Sequence, residues 1–145
     1  NYSGILDIKE LYEIIKKNLQ RRKYLFVEKK YETKPDSLKI GLSNPKILDD
    51  YYKAVIGIEI SAKNIKEVKV KNKKLNEADL SIRFISVLEH DYEGNYESRP
   101  PLKFFRAIYD KFFDSRTSKY ENNLKEETYE IYNEIKSYLN ITKFQ

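Results

Sequence analysis

Apolar residues recur along this chain with two different periods, and the change of period divides it. Between 7 and 22, Ile8, Leu11, Tyr12, Ile15 and Leu19 follow one another at helical spacing, with Ile14 widening the stripe. Lys9, Glu13, Lys16, Lys17 and Gln20 take the opposite side. Asp7 followed by Glu10 reads as a capping box, in which the aspartate accepts from first-turn amides. One amphipathic helix with a single side to bury is predicted there.

From 24 to 92 the period shortens to two. "YLFVEKKYE" (24–32) leads to the turn former Lys34-Pro35-Asp36, and "SLKIGL" (37–42) runs up to Asn44-Pro45, read as a stop. "DYYKAVIGIEIS" (50–61) sets Ala54, Ile56, Ile58 and Ile60 on one face and Val55 on the other. Lys63-Asn64 is then expected to turn the chain into "IKEVKVKNK" (65–73), and a polar turn near Asn76 into "ADLSIRFISVLEHDY" (78–92). Five strands at hairpin spacing predict an antiparallel meander. On the last of them Ile85 and Val87 break the alternation, which implies that its far face is also covered, by a helix or a second subunit.

Helical spacing returns near the end. Pro100 and Pro101 suit a helix start, where a missing amide proton costs nothing. Leu102, Phe105, Ile108, Tyr109, Phe112 and Phe113 then share one side of a helical wheel, with Phe104 at its margin and the charges opposite. Aromatics on the side away from the cations belong to a core, since base-stacking rings must be exposed beside them. Phe104 and Phe113 lie at the edges of that arc, where they could join an exposed patch. Ser118 with Glu121 forms a second capping box, opening a last helix whose stripe is Leu124, Ile131, Ile135, Tyr138 and Leu139. The expected fold is therefore α+β, with an N-terminal helix, about five antiparallel strands and two C-terminal helices on one face of the sheet. It resembles architectures in which a curved sheet grips a long C-terminal helix around an apolar cavity, a likeness that implies no function.

Composition narrows the chemistry. At 145 residues the chain is expected to form a single domain over 1–145. It carries no Cys, which removes disulfides, thiolate nucleophiles and cysteine metal sites. The absence of an initiating Met suggests a trimmed form of a longer chain, and a cytoplasmic location is only the default. Abundant Lys and Glu without Cys or Met is a thermophile-like bias. No apolar run approaches the ~20 residues needed to cross a bilayer.

His90 is the single histidine, so two-histidine metal motifs are excluded, and strand alternation sends it away from Glu89 and Asp91. Asp49 and Asp50 are too few oxygens to hold a hard cation. With no nucleotide-binding glycine motif and no nucleophile elbow, neither catalytic residues, a cofactor nor a metal is expected.

Two signals outside the core remain. "KNIKEVKVKNKK" (63–74) holds six lysines against one glutamate, and as a strand it would align Lys69, Lys71 and Lys73 on one face, flanked by Lys66 and Lys74. Such a row could track phosphates, with Arg21, Arg22 and Lys23 as a second basic cluster. Lysine also blunts sheet edges against aggregation, and cations suit a helix C-terminus. Tyrosine is the other signal: Tyr51, Tyr52, Tyr92, Tyr96 and Tyr129 exceed what a small core needs, and this side chain is favoured at interfaces.

The expected function is a non-catalytic domain binding a protein partner or a second copy of itself. Candidate contacts are Tyr51, Tyr52, Ile85, Val87, Tyr92, Tyr96, Phe104, Phe113 and Tyr129. Nucleic-acid binding through the lysine strand is the first alternative, and a carrier of an apolar small molecule the second.

Overall fold

A computed structural model of the chain describes residues 1–90 and 114–143. Its elements are β1 (Tyr2–Leu6), α1 (Ile8–Arg21), β2 (Glu28–Lys34), β3 (Ser37–Ile47), β4 (Tyr52–Val70), β5 (Lys73–His90) and a C-terminal helix α2 (Asp114–Lys143). The five strands form one sheet in the order β1-β5-β4-β3-β2, antiparallel at every pairing. The α+β expectation holds for the sheet and for the helix at each end. One C-terminal helix is described rather than two, and the expected helix over 102–113 lies outside the described residues, as do Tyr92, Tyr96, Phe104 and Phe113.

Among the described residues the core lies on one side of the sheet. Leu38, Ile40 and Leu42 of β3 and Ile56, Ile58 and Ile60 of β4 are buried together with Leu80 of β5. Against them pack Leu11, Ile15 and Leu19 of α1 and Leu124, Ile131, Ile135 and Leu139 of α2. At roughly 1.5–3 kcal/mol per buried aliphatic side chain, this cluster is what holds the helices to the sheet.

Local chemistry accounts for α1 at both ends. Asp7 is the N-cap, its carboxylate accepting from the Glu10 amide at 3.2 Å. At the other end Lys23 donates to the Gln20 carbonyl (3.0 Å) and Tyr24 to the Leu19 carbonyl (3.0 Å). These two bonds make a Schellman cap, with Lys23 at φ 70° in the position usually given to glycine.

The strands depart from the sequence reading at four places. Tyr2–Leu6 forms a fifth strand that periodicity missed, pairing with Asn76–Leu80. Asn44-Pro45 does not end β3, which continues to Ile47. The Pro45 carbonyl accepts from the Leu25 amide at 2.9 Å, so the proline nitrogen also points away from β4, where no ladder bond needs its proton. Third, Lys63-Asn64 is a bulge rather than a turn. β4 runs through it for 19 residues, and the chain reverses at Lys71-Asn72, both at positive φ (50° and 66°), as a two-residue type I′ hairpin requires. Asn76, read as a turn, lies within β5 opposite Leu6. The Ser118 capping box is likewise interior to α2, because no Gly or Pro stands between Asp114 and Lys143 to interrupt the helix.

Candidate interaction surface

Odd-numbered positions over 41–47 of β3, 53–59 of β4 and 83–89 of β5 face away from both helices, and their registers align them in rows. Ile47 lies beside Lys53 and Glu89; Pro45 beside Val55 and Val87; Ser43 beside Gly57 and Ile85; Gly41 beside Glu59 and Arg83. The two middle rows hold only small and apolar residues, apart from Ser43. Ile47 is 68% exposed, Val87 44% and Ile85 39%. Charges close the patch at both ends, with Lys53 Nζ 3.3 Å from a Glu89 carboxylate oxygen and Arg83 Nε 4.0 Å from one of Glu59. Among the described residues no helix packs on this face. The broken alternation points to Ile85 and Val87, and the strand period to the outward turn of Val55; Pro45 and Ile47 escape it because Asn44-Pro45 reads as a stop, and Gly57 because glycine carries no apolar side chain.

The other interface candidates scatter. Tyr129 is 67% exposed, but it stands on α2, with its ring 5.9 Å from that of Tyr132. Tyr51 and Tyr52 are buried, a correction to their expected place at a contact surface. Asp49 folds the chain under them, one carboxylate oxygen accepting from the amides of Tyr51 (2.8 Å) and Tyr52 (2.7 Å) and the other from the Tyr120 hydroxyl (2.9 Å). The Tyr52 hydroxyl bonds to Thr117, and its ring meets those of His90 (5.1 Å) and Tyr120 (5.2 Å) edge-on. This cluster pins the start of α2 to the sheet. It also absorbs His90 and Asp49, the side chains nearest to a chemical role.

The Arg21-Arg22-Lys23 cluster is divided between two tasks. Arg21 reaches Glu134 at 2.6 Å and Arg22 reaches Glu130 at 3.0 Å, tying the end of α1 to the acidic side of α2. Lys23 is exposed and closes the helix cap described above. Partial desolvation works against ionisation of Glu134. Hydrogen bonds from Arg21 and Asn18 and the two guanidinium charges outweigh it, and hold the carboxyl below the ordinary glutamate value of 4.5. A depressed carboxylate stabilises the fold above its unfolded value, and that contribution is lost as the pH falls through the folded one. Glu134→Gln is therefore expected to cost about 0.5–1 kcal/mol at pH 7, a figure kept small because the pair is solvent-screened. In urea titrations at descending pH, the gap to wild type should close below pH 4.5. A gap unchanged in acid would remove the clamp from the account.

The lysines of 63–74 occupy the β4–β5 arm, which extends past the last β3 pair at Leu38–Ala62. Cross-strand partners share a face, so the register decides which lysines meet. Lys69 lies opposite Lys74 on one face, while Lys73 opposes Val70 and Lys66 opposes Glu77 on the other. Lys71 sits in the turn. The expected row of Lys69, Lys71 and Lys73 does not form, because the chain reverses inside it. Lys74 also lies 3.7 Å from Glu67, which offsets part of the charge on its face.

Between β5 and α2, Leu80, Ile82, Phe84, Ile135 and Leu139 help to line a cleft of about 170 Å³, with Lys136 also on its wall. Cavities of ~150 Å³ hold a molecule the size of benzene, whereas drug-sized ligands need ~300 Å³ or more. Three tyrosine hydroxyls are pushed above their usual value. Tyr12 rises to about 12, by desolvation and by the Glu28 carboxylate to which it donates at 2.9 Å. Tyr24 and Tyr138 rise chiefly by desolvation. All three stay neutral near pH 7. Among the described residues no group of three or more His, Asp and Glu is placed to hold a metal ion, and no helix is long and apolar enough to cross a membrane.

No protein-family model matches the sequence, and no curated protein or solved structure matches it.

Proposed function

We propose that this protein is a non-catalytic interaction domain that binds protein through the open face of its sheet. One observation carries the reading: rows of small and apolar residues, Pro45, Val55 and Val87 beside Gly57 and Ile85, lie on a face that neither helix covers. Exposed apolar patches framed by charge are the usual mark of a protein contact. A sheet whose second face is apolar has a reason to be covered in the working state.

The alternatives weigh less. Nucleic-acid tracking by the arm loses its single-face lysine row to the hairpin register. Carriage of an apolar molecule would use the cleft of about 170 Å³ between β5 and α2, enough for one small ring. Two of the three basic residues at the end of α1, Arg21 and Arg22, are engaged with α2.

A photo-reactive amino acid in place of Val87 tests the reading. Irradiation of cells producing the full chain is expected to give discrete adducts of raised mass. The same residue at Lys17, exposed on α1, should give none. An unshifted band at position 87, or identical adducts from both positions, would sink the proposal.

A further inference from the structure

The charges around the open face are arranged so that the face complements itself. We propose that its partner is a second copy of this chain, packed sheet to sheet about a two-fold axis that is parallel to the sheet and perpendicular to β4. The axis passes between the Val55 and Gly57 rows. The inference rests on the reading of the open face as the contact surface, and adds the identity and orientation of what covers it.

The symmetry follows from the rows. Within β4, Lys53 stands one row above the patch and Glu59 one row below; within β5 the signs are reversed, with Glu89 above and Arg83 below. A two-fold rotation about the proposed axis exchanges the upper and lower ends while keeping each strand over its counterpart. Lys53 then faces Glu59 of the second copy, and Glu89 faces its Arg83. Each end becomes a ring of four alternating charges instead of two separate pairs. The other in-plane axis, along β4, would set Lys53 against Lys53 and Glu59 against Glu59. Like-charge juxtaposition of that kind is repulsive, so the charge pattern selects the first axis.

Shape follows the same operation. Val55 is brought over Gly57 of the second copy, so a branched side chain meets a glycine of the face, and Ile47 is brought over its Gly41, beside which Lys30 stands. Val87 meets Ile85 across the axis. Isologous packing requires that one surface supply both the projection and the recess it fills, and these rows do so. Although the chain carries a net charge of +5, the face itself mixes Lys53 and Arg83 with Glu59 and Glu89, so the copies are not repelled where they touch.

Size sets the strength. Rows recur every ~6.8 Å along a strand and strands lie ~4.8 Å apart, so four rows over three strands cover roughly 400 Å² in projection. Such a contact falls at the weak end of specific interfaces, which bury under ~1,200 Å² in total, so dissociation at roughly micromolar concentration is expected.

Sedimentation velocity of the full chain from low to high micromolar concentration tests this with two single variants, Arg83→Glu and Glu89→Arg. Both positions are exposed on the face, the side chains being 69% and 44% accessible, so the fold should survive either change. The wild type is expected to dimerise with rising concentration. Each variant alone should dimerise about tenfold more weakly, because its symmetric dimer sets like charges together twice. An equimolar mixture of the two should recover wild-type association, since the introduced glutamate then meets the introduced arginine and the native pair remains at the other end. A wild type that stays monomeric, variants that dimerise unchanged, or a mixture that fails to recover would each overturn the arrangement. Adducts from position 87 to a different protein would also overturn it, while leaving the open face as the contact surface.

Discussion

Replacing Asn44 with leucine is expected to destabilise the protein by about 2–4 kcal/mol. Asn44 is fully buried within β3. Its Nδ2 donates to the Ile56 carbonyl at 2.9 Å and its Oδ1 accepts from the Val27 amide at 3.0 Å, so one side chain ties β4 to the segment that enters β2. Leucine fills similar space but strands the Val27 amide, at about 1–3 kcal/mol, and removes a second bond to the Ile56 carbonyl, which keeps its ladder partner, at about 0.5–1.5 kcal/mol. Asn44→Asp distinguishes lost hydrogen bonds from altered packing. Its carboxylate would be buried beside the Ile56 carbonyl, so it should destabilise more than leucine near pH 7 and recover in acid, where the protonated form regains a donor. Urea unfolding at two pH values measures both effects. A leucine variant within 1 kcal/mol of wild type would mean that water or backbone adjustment replaces these bonds.

The second large effect is expected at Ile131, where truncation to alanine should cost about 3–4 kcal/mol. This side chain is 0% exposed, midway along the stripe by which α2 lies on the sheet, between Leu124 and Ile135. Removing buried methylenes loses their transfer energy and leaves a cavity, and Ile→Ala changes span ~2–5 kcal/mol. A domain of this size loses roughly 3 °C of Tm per kcal/mol, so calorimetry should record a fall near 10 °C. Tyr129→Ala, two residues away but 67% exposed, is the internal control and should change stability by under ~0.5 kcal/mol. If both variants behaved alike, the packing face of α2 would be misassigned.

The residues that succeeded as sequence signals acted locally. Asp7 caps α1 because a carboxylate there meets a free amide whatever the rest of the chain does. The buried parity of β4 was legible for the same reason, since an alternating strand with Ile56, Ile58 and Ile60 on one side admits one core face. Failures came where distant residues decide between equal local options. Asn64 and Asn72 both adopt positive φ, yet one makes a bulge and the other a turn. The difference lies in Asp79, which accepts from Asn64 Nδ2 (2.9 Å) and from the Ser3 hydroxyl (2.8 Å) and so holds the bulge inside the ladder. Those hydrogen bonds also keep the Asp79 carboxyl below the ordinary carboxylate range. Pro45 looked like a terminator because strand continuation depends on which side its missing donor faces, a property of the neighbours. Half of the open face was readable from the broken alternation at Ile85 and Val87. The half contributed by β3 depended on that proline.

The pairing of β1 has a consequence for how the chain comes together. Each remaining strand adjoins one that is next to it in sequence, so β2 to β5 can assemble hairpin by hairpin as the chain lengthens. Strand β1 comes first in sequence, yet it pairs only with Asn76–Leu80, at the far side of that meander. On a ribosome it must wait until Asn76–Leu80 have emerged. The edge of the sheet is therefore closed through a ladder between residues 70 to 78 positions apart, bridged by everything that lies between them.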